Sequence, residues 1–112
     1  MAVPAVNITI EKGTYFENTF YINNEDETSY DLLDYSAVAK IRKHPSSSVS
    51  HSFDVHMEAG IGLIRLSMTP TVSSLLSDGR NYYDIILIYG PDPTYKIKVI
   101  EGTAMVIPSI SV

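Results

Sequence analysis

The chain has 112 residues, 45% apolar and 19% charged, enough to close one hydrophobic core and too few for two independent ones. Thirteen acidic against eight basic residues leave a net charge of −5, which repels a phosphate backbone and argues against a nucleic-acid partner. With no Cys there is no disulfide framework, no thiolate zinc site and no cysteine nucleophile, and such a chain folds in a reducing cytoplasm without redox help.

Apolar and polar residues alternate with period two along most of the sequence, the pattern of strands with one buried face. Val6, Ile8 and Ile10 alternate with Asn7 and Thr9 and stop at Lys12-Gly13. The next strand sets Phe16, Phe20 and Ile22 on one face and Tyr15, Glu17, Thr19 and Tyr21 on the other. An acidic turn over 23–27 follows, and Leu32, Leu33 and Tyr35 are expected to tuck under a sheet edge. From Ser36 to Lys43, Ala37, Ala39 and Ile41 point inward, and Val38, Lys40 and Arg42 outward. His44-Pro45-Ser46-Ser47-Ser48 is a turn; Phe53, Val55 and Met57 form the next inward set, and Leu63 to Met68 a further strand.

The spacing predicts one short helix over 70–77, with Thr69 as cap, Pro70 in the first helical position and Asp78-Gly79 as the stop. Its Val72, Leu75 and Leu76 share a face. Tyr82 to Tyr89 is apolar on both faces except at Asp84 and is expected to be a central strand. Gly90-Pro91-Asp92-Pro93 turns the chain into a last strand from Tyr95, which Gly102 interrupts as a bulge or bend. The fold class is therefore all-β: an immunoglobulin-like antiparallel β-sandwich of about seven strands, in a single domain over 1–112 with extended tails at 1–6 and 108–112. Met1 to Val6 carries neither the basic nor the long apolar region of a secretion signal, and the longest apolar run, Ile85 to Tyr89, is too short to span a bilayer. No membrane partner is expected.

Catalytic and metal-binding constellations are not apparent. His51 and His56 are an odd number of positions apart and face opposite ways on one strand; Ser52, Asp54 and His56 share a face, which reads as the solvent side opposite Phe53 and Val55. Glu25, Asp26 and Glu27, with Asp31 and Asp34, lack the alternate-residue spacing and the glycine of a calcium loop. Neither a nucleophile elbow nor a phosphate-binding glycine loop is present. No cofactor is expected. Tyr is over-represented, eight against three Phe and no Trp. Tyr15, Tyr21, Tyr83, Tyr89 and Tyr95 are expected on strands and are the candidate interface set, with half-buried cross-strand pairing as the alternative for each.

Several segments, in order, resemble small β-sandwich proteins of the tail and baseplate of tailed bacteriophages. Ile8 to Phe16 is similar to the opening strand of that family. Asp31 to Lys43 resembles its aspartate-leucine and tyrosine segment and the alternating strand that ends in isoleucine-arginine. Leu66 to Pro70 and the following helix, then Gly79 to Ile85, resemble its helix, glycine-arginine turn and tyrosine-aspartate strand; Ile100 to Pro108 resembles its final strand. The resemblance implies a virion structural protein, similar to the N-terminal domain of baseplate upper proteins, assembled in the host cytoplasm in multiple symmetric copies among other virion proteins. Those longer proteins continue into a receptor-binding region, whereas this sequence runs only to Val112, which implies an adaptor or decorating subunit. It implies no catalytic residues. A capsid decoration protein is the alternative within the class, and a carbohydrate-binding module using outward Tyr is the alternative outside it.

Overall fold

A computed structural model describes residues 3–23 and 31–111. Within them the alternating segments form β1 (Ile8–Glu11), β2 (Phe16–Tyr21), β3 (Tyr35–Arg42), β4 (His51–Ser52), β5 (Asp54–Glu58), β6 (Leu63–Met68), β7 (Gly79–Tyr89) and β8 (Lys96–Ile107). A 3-10 turn, Ala59–Ile61, lies between β5 and β6, and a single helical turn, α1 (Pro70–Ser73), between β6 and β7. One sheet has the order β1-β8-β7-β3-β4 and the other β2-β6-β5. Two sheets face each other over one core, with the chain crossing between them in the immunoglobulin-like manner.

The expected alternation is reproduced along β2 and β3. Phe16, Phe20 and Ile22 are buried while Tyr15, Glu17 and Tyr21 are exposed; Ala39 and Ile41 are buried while Val38 and Lys40 are exposed. β7 is central, between β8 and β3, as its apolar faces require. It begins at Gly79 rather than Tyr82, because Asn81 is accommodated inside by donating to the carbonyls of Ser77, at 2.9 Å, and Gly79, at 3.1 Å. The innermost side chains include Ile10, Ile41, Ile64, Leu66, Ile85 and Leu87, drawn from both sheets. Aromatic rings connect the layers: Phe20 and Phe53 lie 6.5 and 6.3 Å from Tyr83 between ring centroids, and Phe16 lies 5.8 Å from Phe53.

Several details differ from expectation. The strands number eight among the described residues, because the segment around Phe53 is two strands in different sheets. β4 pairs with β3, β5 pairs with β6, and Phe53 is the crossing residue, its N–H donating to the Ala39 carbonyl at 2.9 Å. The sandwich is not wholly antiparallel either. β1 runs parallel to β8, with Ile8 opposite Ala104 and Ile10 opposite Val106, which buries its apolar side. The N-terminal segment joins the same ladder from Pro4 onward: Glu101 N–H donates to the Pro4 carbonyl and Val6 N–H to the Glu101 carbonyl.

The helix stops at Ser73, four residues short of expectation. Leu75 and Leu76 instead bond back three residues, to Val72 and Ser73, and this tighter winding turns Leu75 out to 63% exposure while Leu76 stays buried. Of the residues expected to plug the sheet edge, Leu32 is buried and Tyr35 half-buried, whereas Leu33 is exposed in a turn whose Asp31 side chain accepts from the Leu33 N–H.

Gly102 is not the bulge. The β7–β8 register slips between Ile85 and Ile86, where Val99 is the extra residue on β8, and Val99 and Ile100 are buried in succession. Gly102 continues the strand, and a Cβ there would collide with the Val6 carbonyl, so it is the close approach of the first strand segment that requires glycine.

Candidate docking surface

With the core inside, the exposed surfaces are the two outer faces, the edges and the ends. The Tyr set divides among them. Tyr15 and Tyr21 are 58% and 62% exposed, on the outer side of the three-stranded sheet, with the Tyr15 hydroxyl donating to Glu17 at 3.2 Å. Tyr83, a candidate interface residue, is instead buried: it lies in phase with Ile85 and Leu87 on the inner side of β7, and its hydroxyl donates to the Val6 carbonyl. Burial without a charged partner pushes its phenol up from 10.0 to about 12. Tyr89 packs against Tyr35, directly opposite it on β3, at 5.2 Å between ring centroids, and Tyr95 packs edge-on against Tyr89 at 6.1 Å. These three rings close one end of the sandwich as a cross-strand cluster.

Sequence reasoning did not single out the outer face of the five-stranded sheet. Its rows follow from the register: Val38, Ile86 and Lys98 lie side by side, as do Lys40, Asp84 and Glu101, and Arg42, Tyr82 and Thr103. Val38 is exposed, and Tyr82, Ile86 and Ile88 are half-buried, so apolar side chains run down the middle, interrupted at Asp84. Lys40, Arg42, Lys96 and Lys98 flank it around an open hollow of about 950 Å³. Lys98 is held by Asp84 at 3.6 Å and Glu101 at 3.5 Å, and Arg42 donates to the Ser47 carbonyl. Lys40 and Lys96 are exposed, without an ion pair among the described residues. Four of the chain's eight basic residues thus line this hollow, against the carboxylates of Asp84 and Glu101, in a chain of net charge −5.

The opposite face has the other sign. Glu17, Asp54 and Glu58 project from β2 and β5, with Arg65 between them on β6. Arg65 lies 3.7 Å from Glu17, and His56 lies 3.7 Å from Glu58.

Strand edges present less. β1 has four residues and β4 two. β2 turns the polar Asn18 inward between Phe16 and Phe20, beside a cleft of about 530 Å³ shared with β1, and an inward polar group discourages added strand pairing.

The candidate polar constellation does not assemble. Ser52 belongs to the other sheet from Asp54 and His56, and His51 to the other sheet from His56. Among the described residues no three His, Asp or Glu side chains converge as a metal site, and no helix is long and apolar enough to cross a membrane. The acidic stretch Glu25 to Glu27 lies outside the described residues. No family model matches the chain, and neither does any curated protein.

Proposed function

We propose that this chain is a structural subunit of a bacteriophage tail or baseplate, an adaptor or decorating protein that works through contacts with other virion proteins. The observation that carries a docking role is the outer face of the five-stranded sheet, where apolar Val38, Ile86 and Ile88, with Tyr82 beyond Asp84, are flanked by cations. An apolar centre inside a polar rim is the anatomy of protein interfaces. Support for the phage setting comes from the ordered resemblance, whose segments map onto β1, β3, β7, β8 and the β6–α1 junction. A sandwich is also the fold that this resemblance implies.

The test is mass spectrometry of purified particles of the phage that encodes the chain, combined with gold labelling of intact particles. The chain is expected in the particle, with label on the tail or baseplate. Label on the head would reassign it to capsid decoration, and particles devoid of the chain would end the reading.

A further inference from the structure

The two outer faces of the sandwich are complementary, and we infer that copies of this chain associate front to back, the five-stranded face of one against the three-stranded face of the next. This rests on the structural-subunit reading and names its first partner as a second copy.

Charge is the first argument. The front presents unpaired Lys40 and Lys96 in a chain that is acidic overall, so it is set apart from the rest of the molecule by sign. The back presents Glu17, Asp54 and Glu58 against the single Arg65, and Asp54 is exposed with no ion pair among the described residues. Opposed potentials of this kind orient encounter and disfavour front-to-front or back-to-back pairing, where like charges meet.

Apolar complementarity is the second. The front stripe, centred on Val38 and Ile86, is matched on the back by Tyr21, 62% exposed, and by the Tyr15 ring at the other end of β2. Tyr supplies contact area with a polar tip and suits a surface that is solvated before assembly. Size permits the contact. The molecule measures 42 × 26 × 22 Å between Cα extremes, so a broad face can supply the roughly 800 Å² per partner of a standard interface. Three of the four edge strands, β1, β4 and β2, are short or guarded, which leaves the faces as the larger contacts.

Sedimentation velocity over a concentration series, at ~0.05 and ~0.5 M salt, tests the inference, since screening shortens to a few ångströms at the higher value. Wild type is expected to associate with rising concentration at low salt and to weaken at least tenfold at high salt. Two double variants, Lys40→Glu/Lys96→Glu on the front and Asp54→Lys/Glu58→Lys on the back, should each lose self-association at least tenfold with unchanged thermal melts. Mixed together, they should co-assemble in equal proportion, because the reversed front fits the reversed back and the native front fits the native back. Should charge reversal disturb folding, Lys40→Gln/Lys96→Gln carries the same expectation for the front.

A wild-type chain that stays monomeric throughout would overturn the inference, as would association indifferent to salt or variants that fail to pair on mixing. The outcome is separable from the reading beneath it. Salt-sensitive association with no chain in particles sinks the virion role alone, and a monomer found in particles sinks front-to-back association alone.

Discussion

At the scale of single residues, two positions carry more of the fold than their chemistry suggests. Gly102 sits in a continuous strand, yet a Cβ there would meet backbone, the Val6 carbonyl, which cannot rotate away like a side chain. Gly102→Ala is expected to cost about 1–3 kcal/mol, the range for overpacking a closed site, measured as a lower urea midpoint at unchanged slope. Tyr83 is the second. Its hydroxyl reaches the same carbonyl from inside, and its phenol, pushed up to about 12 by burial, keeps a proton that the unfolded chain surrenders near 10. The sign follows: this contribution is fully present below pH 10 and is lost as pH rises from 10 to about 12. Tyr83→Phe should remove that fall in stability across the window, at a cost of about 1 kcal/mol at neutral pH for the lost hydrogen bond, both read from denaturation curves at several pH values. Neither role was legible in sequence. Tyr83 falls in phase with buried Ile85 and Leu87, and that parity was the available signal; Gly102 owes its role to a segment some hundred positions away.

Among the elements, the single helical turn closes an end of the sandwich. α1 is a single turn, far below the length at which a helix holds by itself. Thr69 caps it, its side chain accepting from the Val72 N–H at 3.4 Å, and Pro70 needs no partner at its first position. What fixes it in the molecule is Ser73. Fully buried, its hydroxyl accepts from the Gly13 N–H at 3.0 Å and donates to the Thr14 carbonyl at 2.8 Å, tying the β6–β7 connection to the β1–β2 turn. Ser73→Ala should therefore cost about 1–3 kcal/mol, the penalty for stranding buried polar groups, and should speed amide exchange at Gly13 more than in the centre of β7. The helix itself was readable from Thr69, Pro70 and the Asp78-Gly79 stop. Its length was not, because the choice between α and 3-10 winding past Ser73 depends on seating Leu76 in the core.

At the scale of the whole molecule, one property is layered on another. The core decides which side chains face out, and the register then decides which outward side chains become neighbours. Cations on β3 and β8 come to flank one stripe because β7 lies between those two strands, although Lys40 and Lys98 are 58 positions apart in sequence. Front-to-back association of such a subunit is heterologous, so copies continue into a ring if the rotation between them closes and into a stack if it does not. Either form would suit the proposed virion role, and the sedimentation series distinguishes a finite species from open growth.

Sequence by itself determined the all-β class, the inward and outward sets of each strand, the central place of the Tyr82–Tyr89 segment and the turn chemistry between strands. These are local: a side-chain period of two and a few Gly, Pro and cap positions decide them within a handful of residues. Only the tertiary structure decided that Phe53 hands the chain from one sheet to the other, that β1 leaves its hairpin neighbour to run parallel to β8, and that the Tyr83 hydroxyl meets the Val6 carbonyl in the core. It alone also produced two faces of opposite sign. Pairing between distant strands sets each of these, and alternation within one strand carries no record of which strand lies beside it.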